Sequence, residues 1–203
     1  VYNEATYGGG VKLLNTIAEF ASAEVSNNLA TGNGGGFSIG GESEVELINT
    51  LIDWNTADVG GGIKMGGDAY VSMDADFSEE DCVPATAPCS SISYNTAEAG
   101  TAVYTNDDIT INHTFITDNE ATVVHILQLA GNADLTLINV LLKNNVVDAG
   151  AIIYNNFASG SLNLAHVTAK DNDADDIVSA PTGDIIVIGS ILYDNTYSDD
   201  TID

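Results

Sequence analysis

The sequence predicts an all-β fold, a right-handed parallel β-helix in which three short strands per coil stack into a three-sided solenoid. Three observations predict it: an asparagine that recurs about every 26 residues, glycine-rich runs at a fixed offset from that asparagine, and short segments of alternating apolar residues. These features extend over residues 1–203 as about seven coils, which indicates a single β-helix domain.

The asparagine repeat is an aliphatic residue three positions before an Asn, usually with Ala two positions after it, as in Ile52, Asn55 and Ala57. Asparagine tolerates left-handed backbone at a tight corner, and asparagines stacked in register can bond to one another through their side-chain amides. We therefore expect a structural ladder along the rod. Its predicted members are Asn28, Asn55, Asn95, Asn119, Asn145, Asn172 and Asn195, and Asn3 belongs to the tail of one further copy.

One coil is longer than the others. The interval from Asn55 to Asn95 is 40 residues, whereas the other intervals are 23–27, so this coil carries an insertion, which we place as a loop at about 78–91. The loop contains the only two cysteines, Cys82 and Cys89. A local disulfide between them implies an oxidising compartment, and two free thiols are the alternative.

The strands are predicted from apolar pairs that alternate with polar residues between the landmarks. Val45 and Leu47 belong to a first column, Ile52 to a second, and Ile63 and Met65 to a third, which directly follows a glycine run. Residues 12–25 contain good helix formers, but they lie between two clean copies of the repeat, and strands are the preferred interpretation there. The clean glycine runs are Gly8–Gly10, Gly34–Gly36 and Gly60–Gly62.

The paired motifs Ile52-x-x-Asn55 and Gly60-Gly61-Gly62-Ile63 resemble the Phe-x-x-Asn and Gly-Gly-Ala-aliphatic repeats of chlamydial polymorphic membrane proteins. They are similar, more widely, to the β-helices of autotransporter passengers and pectate lyases. The resemblance implies a β-helix of a bacterial or archaeal surface or secreted protein with an adhesive tendency. The sequence departs from the family pattern in using Val, Ile or Leu for Phe, and its C-terminal coils lose the glycines.

Charge narrows the classes of partner. The chain has 30 acidic residues against four lysines and no arginine, a net charge of −26. This balance argues against nucleic acid, anionic membrane surfaces and polyanionic substrates. Because there is no apolar run of the length that a transmembrane helix needs, we also expect no membrane insertion.

Catalysis on this scaffold is the runner-up hypothesis. A pectate-lyase mechanism uses an arginine base, which the chain lacks, and a polygalacturonase mechanism uses clustered aspartates with a basic substrate clamp. The adjacent carboxylates Asp107–Asp108, Asp175–Asp176 and Asp199–Asp200 fall in different corners. The histidines also suggest no shared site: His113 and His166 occupy comparable places two coils apart, and His125 replaces a small residue of the glycine column. We therefore expect no catalytic residues.

Calcium is the metal ion that the sequence suits, although the fold requires no cofactor. Asp171, Asp173 and Asp175 alternate and offer hard oxygen ligands that a bent loop could bring together. The acidic residues beside the cysteine loop, from Asp74 to Asp81, are a second option.

The leading functional hypothesis is a non-catalytic, extracellular, structural or adhesive solenoid that binds a cell-surface or matrix glycan or protein. The repeat begins and finishes without a polar cap, so we expect either a longer rod or ends covered by another copy, which would build an end-to-end filament. The alternatives are a polysaccharide hydrolase or lyase and a glycan-binding module. A glycan-binding module needs a row of exposed aromatics, for which the candidates are Tyr70, Tyr94, Tyr104, Tyr154, Tyr193 and Tyr197.

Overall fold

The computed structural model describes residues 2–77, 89–155, 160–182 and 184–197, and in this part of the chain every regular element is a β-strand. The strands pair in parallel with their equivalents in the neighbouring coils, which makes the protein a parallel β-solenoid of about seven coils. Residues 12–25 belong to strands, as the repeat predicts. No helix in the described ranges is long and apolar enough to cross a membrane.

The solenoid has four sheets, so the predicted three-sided cross-section is wrong. One sheet, here called sheet A, has eight strands in the described chain, and the other three, sheets B, C and D, have seven each. The chain passes through the sheets in the order A, B, C, D in each coil. The sequence shows only three alternating columns because most strands of sheet A carry a single inward alanine, which does not stand out as an apolar column. Five of the strands carry an inward alanine, such as Ala57 or Ala97, and such segments are easily taken for a turn.

Sheet A follows the ladder asparagine in every coil. Its buried inward positions include five alanines, which leave room for the asparagine side chains beside them, and one valine: Ala30, Ala57, Ala97, Ala121, Ala174 and Val147. Its strands are β1 (Glu4–Tyr7), β5 (Leu29–Asn33), β9 (Thr56–Val59), β13 (Thr96–Ala99), β17 (Glu120–Val124), β21 (Val146–Val147), β25 (Asp173–Ala174) and β29 (Thr196–Tyr197).

Sheet B begins after the glycine run. Glycine lies at this corner because it allows the close approach of backbone between coils that the corner requires. A methyl group on Gly35 would lie 2.5 Å from the carbonyl oxygen of Gly61 in the next coil. The strands of sheet B are β2 (Val11–Leu14), β6 (Phe37–Gly40), β10 (Ile63–Gly66), β14 (Val103–Thr105), β18 (Leu127–Leu129), β22 (Ala151–Asn155) and β26 (Asp176–Ser179).

Sheet C contains the clearest alternation in the sequence, and its inward residues pair in register with each other. Leu47 pairs with Met73, and Ile111 pairs with Leu137. The strands of sheet C are β3 (Ile17–Ala21), β7 (Glu44–Ile48), β11 (Tyr70–Asp74), β15 (Ile109–Asn112), β19 (Leu135–Ile138), β23 (Ser161–Ala165) and β27 (Asp184–Ile188).

Sheet D leads into the ladder asparagine and carries the aliphatic residue of that motif inward. Its strands are β4 (Glu24–Ser26), β8 (Leu51–Asp53), β12 (Ser90–Ser93), β16 (Thr114–Thr117), β20 (Leu141–Lys143), β24 (Thr168–Lys170) and β28 (Ile191–Tyr193).

The insertion lies between sheets C and D. β11 ends at Asp74 and β12 begins at Ser90, yet Ile92 still pairs with Ile52, so the extra residues leave the register of the rod unchanged. Cys82 lies outside the described residues, and the disulfide with Cys89 therefore stays a prediction.

The core is one continuous apolar column along the rod axis. Leu47, Met73, Ile111 and Leu137 are at most 1% exposed, and each fully buried side chain of this kind contributes about 1.5–3 kcal/mol. The predicted inward pairs are thus confirmed in the middle of the rod.

Left-handed backbone occurs at all four corners, where the chain must turn sharply between sheets. At the corner between sheets D and A, the left-handed residue is the one before each ladder asparagine and not the asparagine itself, which corrects the expectation from the sequence. The ladder asparagines are used for hydrogen bonding alone. The residues that turn this corner, here called the D–A corner column, are Asn27, Trp54, Tyr94, Asp118, Asn144, Asp171 and Asp194, with φ between 52° and 58°.

Candidate functional site

The predicted asparagine ladder is present and buried beneath the D–A corner column. The Oδ1 of Asn119 accepts hydrogen bonds from the backbone N and the Nδ2 of Asn95, at 3.0 and 3.1 Å. Its own Nδ2 donates to the carbonyl oxygen of Ile92 at 2.9 Å and to Oδ1 of Asn145 at 3.0 Å. Equivalent bonds run from Asn28 to Asn195, and Asn3 adds one more rung through Asn28. The ladder ties the coils together and is structural.

The D–A corner column above the ladder contains two residues that do not suit its backbone. Five of its seven members are Asn or Asp, which tolerate left-handed φ, but Trp54 and Tyr94 have φ of 58° and 54°. A bulky side chain in this region costs on the order of 1–2 kcal/mol. Two successive coils thus hold large aromatic side chains at positions that favour small polar ones.

Trp54 and Tyr94 stack on each other at the surface of the rod. Their ring centroids are 4.4 Å apart with an interplanar angle of 3°, and the side chains are 57% and 44% exposed. Because parallel coils lie about 4.8 Å apart, rings at this separation lie roughly across the rod axis and project outward. The stack uses one face of each ring, so the other face of Trp54 points towards the coil of Asn27 and that of Tyr94 towards the coil of Asp118.

A carboxyl group with an unusual environment lies next to this stack, on the outward side of sheet D. Burial raises the pKa of Asp53 to about 6, and the negative charge of Glu24 acts in the same direction. The hydroxyl of Ser91 donates to Asp53 Oδ1 at 3.0 Å, which opposes the rise. In the preceding coil, Ser26, which pairs with Asp53 across the sheet, donates from its hydroxyl to Glu24 Oε1 at 2.7 Å.

Together these residues form one surface, the aromatic corner, which we define as Trp54, Tyr94, Asp53, Ser26 and Glu24. It combines rigid, exposed rings with hydroxyl and carboxyl groups along one edge. Comparison with protein-family models, curated proteins and solved structures finds no match for the chain. The chemistry of the aromatic corner is therefore interpreted from its own geometry.

The three aspartates predicted to bind calcium are distributed over separate places. Asp171 turns the D–A corner and lies 3.5 Å from the ammonium group of Lys170, Asp173 is exposed on β25, and Asp175 accepts a hydrogen bond from the backbone N of Gly150 at 2.7 Å. Within the described ranges no group of three His, Cys, Asp or Glu side chains could hold a metal ion. Calcium binding stays a prediction, and the second acidic cluster lies partly outside the described residues.

His113 and His166 occupy the same corner, between sheets C and D, as their spacing predicts. The Nδ1 of His113 lies 3.0 Å from Asp74 Oδ1, its Nε2 lies 3.1 Å from Asn139 Nδ2, and Phe77 packs edge-on against the ring. Both ring nitrogens of His113 therefore have partners, and the residue anchors the strand that leads into the insertion.

His125 fills the glycine column, as predicted. It has a φ of 55°, and its ring stacks on Tyr154 at a centroid distance of 3.9 Å. The backbone N of Ala151 donates to its Nδ1 at 3.0 Å, and burial lowers the pKa of the imidazole. This histidine is a packing residue.

The six tyrosines considered as glycan contacts do not form a row. Lysine ammonium groups lie over Tyr104 and Tyr193, Tyr154 stacks on His125, Tyr70 is exposed alone on sheet C, and the side chain of Tyr197 lies outside the described residues. Only Tyr94 joins the aromatic corner.

Two residues of the aromatic corner, Trp54 and Asp53, were not predicted from the sequence. A signal for Trp54 was available, since the only tryptophan of the chain directly precedes a ladder asparagine, where five coils have Asn or Asp. Asp53 gave no signal, because its hydrogen-bond partner Ser91 is 38 positions away across the insertion.

Proposed function

We propose that the protein is a non-catalytic, extracellular, structural and adhesive solenoid whose copies associate end to end. One observation carries the end-to-end part of the proposal: in the described residues both end coils leave the inner apolar columns partly open to solvent. Such a surface is covered by a further coil, either of another copy or of a longer chain. At the C-terminal end, Ile185, Val187 and Leu192 are 42%, 56% and 51% exposed. They line a cavity of about 170 Å³ together with buried aliphatic residues such as Leu164.

The N-terminal coil offers the matching surface. Val11, Leu13 and Phe20 continue the inner columns and are only partly buried. The strands β2, β3 and β4 of one copy have the partners β26, β27 and β28 of another, because these are the end strands of sheets B, C and D. A head-to-tail contact of this kind does not close on itself and extends into a filament.

Sheet A determines how the two ends would meet. Since it has eight described strands and the other sheets have seven, an incoming β1 and the resident β29 would occupy the same level. The resident strand, Thr196–Tyr197, is only two residues long, whereas β1 has four. We therefore expect the incoming β1 to displace β29 from β25, so that Asn3 of the incoming copy takes the place of Asn195 in the ladder.

A cysteine pair tests this arrangement. Glu4 is equivalent to Thr196, the residue that pairs with Asp173. Under mild oxidation, the double variant Glu4→Cys with Asp173→Cys should give disulfide-linked multimers, since adjacent coils bring the Cα atoms within the range that a disulfide spans. The matched control is Glu4→Cys with Glu120→Cys, which places the second thiol on the middle strand β17 and should not cross-link.

Light scattering provides the decisive measurement. Mass that grows with protein concentration, together with cross-linking of the first pair only, supports end-to-end association. A monodisperse monomer at every concentration, without cross-linked multimers, overturns it.

The extracellular and adhesive parts of the proposal have separate support. The net charge of −26 and the predicted Cys82–Cys89 disulfide suit an oxidising exterior, and the repeat motifs resemble those of surface proteins. Intact mass of the chain from its native source, before and after reduction, tests the disulfide: a gain of about two mass units is expected on reduction. An unchanged mass would contradict it.

A second candidate function, polysaccharide hydrolysis, is favoured by the aromatic corner. Asp53 has its pKa raised to about 6 and lies near the carboxylate of Glu24, and glycosidases use one protonated and one ionised carboxyl group as a pair. A depolymerisation screen on alginate, pectin and neutral glycans tests it. Activity that disappears in Asp53→Asn would support hydrolysis, and a silent screen would leave the structural role.

A further inference from the structure

We infer that the aromatic corner is a binding site for an uncharged sugar ring, which stacks on the open face of Trp54. This inference rests on the adhesive part of the proposed function and gives it a ligand class. It does not depend on end-to-end association, because the aromatic corner lies on the side of the rod and includes Tyr94 in the middle coils.

The first reason is the placement of the rings against the preference of the backbone. In the D–A corner column, Asn and Asp suit the left-handed conformation, yet Trp54 and Tyr94 occupy it in two consecutive coils. They are not there to fill the core, since both remain about half exposed. Strained residues of this kind concentrate where a surface binds something.

The second reason is preorganisation. Tyr94 lies flat against one face of Trp54 with an interplanar angle of 3° and so fixes the orientation of the indole. The other face is directed towards the coil of Asn27, whose side chain is much shorter than an indole. A rigid aromatic face costs little conformational entropy when a ligand binds.

The third reason is the polar edge of the aromatic corner. A pyranose ring presents C–H groups on its face and hydroxyls around its rim. The face would pack on Trp54, while the rim would meet the hydroxyl of Ser26 and the carboxyl groups of Glu24 and Asp53. The outward order of these groups along sheet D is fixed by the pairing of Ser26 with Asp53. Ligand pockets commonly combine an apolar surface with a few directed polar groups in this way.

The negative charge of the chain favours uncharged sugars over acidic ones. Asp53 directly precedes Trp54, Asp118 follows Tyr94 in the D–A corner column, and the whole chain carries a net charge of −26. Uronic acids and sulfated sugars would be repelled. A quaternary ammonium ion is the competing ligand, but cation recognition of this type uses several ring faces around one ion. Here one face of Trp54 and one face of Tyr94 are already occupied by the stack between the two rings.

The only tryptophan of the chain is Trp54, so tryptophan emission, excited selectively over tyrosine, reports on this site alone. We expect saturable changes in emission on titration with at least one of three neutral probes, cellohexaose, chitohexaose and mannohexaose. Trigalacturonate should give no response, and choline tests the cationic alternative.

Two variants test whether the change in Trp54 emission arises from binding at the aromatic corner. Tyr94→Asn removes the support of the indole and introduces the residue type that the corner backbone prefers, so the protein should fold. We expect it to weaken binding at least tenfold, about 1.4 kcal/mol. Tyr70→Ala removes a similarly exposed tyrosine from sheet C and should leave binding unchanged.

The outcomes separate this inference from the proposed assembly. A response to a neutral probe that Tyr94→Asn weakens and Tyr70→Ala does not supports the site. A response to choline alone, equal binding by Tyr94→Asn, or no binding to the three probes and to a printed array of neutral glycans overturns it. End-to-end association, measured by light scattering on Trp54→Asn, should persist in either case.

Discussion

Asn95 binds Asn119 through two hydrogen bonds to a single oxygen. The backbone N and the side-chain Nδ2 of Asn95 both donate to Oδ1 of Asn119, at 3.0 and 3.1 Å, and both residues are at most 1% exposed. The same pattern repeats from Asn28 to Asn195, so each of these acceptor asparagines satisfies a backbone group that the corner would otherwise leave unpaired. The ladder is therefore where the stability of the rod is most sensitive to substitution.

Replacing Asn119 by alanine should strongly destabilise the rod. The substitution leaves the backbone N of Asn95, the carbonyl oxygen of Ile92 and Oδ1 of Asn145 without these partners. Buried groups without partners cost about 1–3 kcal/mol each, and we expect a total loss of about 3–5 kcal/mol in denaturant unfolding.

Asn195→Ala is the matched control, because Asn195 is the last rung and is only partly buried, so water can replace its bonds. We expect a loss of about 1 kcal/mol there. Equal losses at Asn119 and Asn195 would show that the ladder is not a buried network.

The glycine column gives a second stability test, because the close approach of coils at Gly35 leaves no room for a side chain. A methyl group there would lie 2.5 Å from the carbonyl oxygen of Gly61 and 2.8 Å from that of Thr56. Since both neighbours are backbone, the coils themselves must separate, and Gly35→Ala should cost about 3 kcal/mol.

Gly40→Ala is the control in the same coil, at the end of β6, where the methyl would make ordinary contacts at 3.5 Å. We expect a change within about 0.5 kcal/mol. Thermal unfolding followed by circular dichroism measures both variants. A tolerated Gly35→Ala would mean that packing at this corner is looser than its geometry indicates.

The repeat and the inward columns could be predicted from the sequence because both are periodic. The ladder asparagines and the pairs such as Val45 with Leu47 recur at the coil length, and in a solenoid equal phase means direct contact. Sheet A was missed because a strand with one inward alanine, such as Ala57, has too few residues to show alternation.

The aromatic corner could not be predicted as a unit from the sequence. Trp54 and Tyr94 are 40 positions apart because of the insertion, and only the preserved register of β8 and β12 makes them neighbours. The pKa of Asp53 depends on its burial between coils, which composition does not reveal. The predicted calcium ligands Asp171, Asp173 and Asp175 are close in sequence and lie at a corner, on β25 and directly after it. Calcium binding by them stays a prediction.

His125 should make the rod sensitive to mild acid. Burial lowers the pKa of His125, and its Nδ1 accepts a hydrogen bond from Ala151 that a proton would remove. The unfolded chain takes up this proton near pH 6.5, whereas the folded protein takes it up only at lower pH. The unfolded state therefore binds more protons in that window, and stability falls as the pH drops below about 6.5.

The variant His125→Asn tests whether His125 causes this pH dependence, since Asn suits the left-handed backbone and does not titrate. The difference in unfolding free energy between pH 7.5 and pH 5.5 should be smaller in the variant than in the unmodified protein. An NMR titration of the ring protons of His125 measures the same effect directly. A pH dependence that is identical in both proteins would place its cause elsewhere.

Asp53 should have the opposite pH dependence. The pKa of its carboxyl group is raised to about 6 in the folded protein by burial, whereas the unfolded chain loses this proton near pH 3.9. Between these values the folded state holds a proton that the unfolded state has released, so the contribution of Asp53 to stability falls as the pH rises through this window. Above pH 6 the cost of the buried charge is complete. Asp53→Asn cannot ionise and should be more stable than the unmodified protein by about 1 kcal/mol at pH 7.5, a value reduced for the partial exposure of the group.

The advantage of Asp53→Asn should disappear near pH 4, where the folded carboxyl is already protonated. Asp58→Asn is the matched control, because it removes the same charge from an exposed position on the next strand, β9. Chemical denaturation of both variants between pH 4 and pH 8 separates the effect of burial from the general relief of repulsion in a chain with a net charge of −26. If the two variants gain stability equally across this range, the carboxyl group of Asp53 is not held in the buried environment described here. Asp53 would then be no better suited to donate a proton in the aromatic corner than any other surface aspartate.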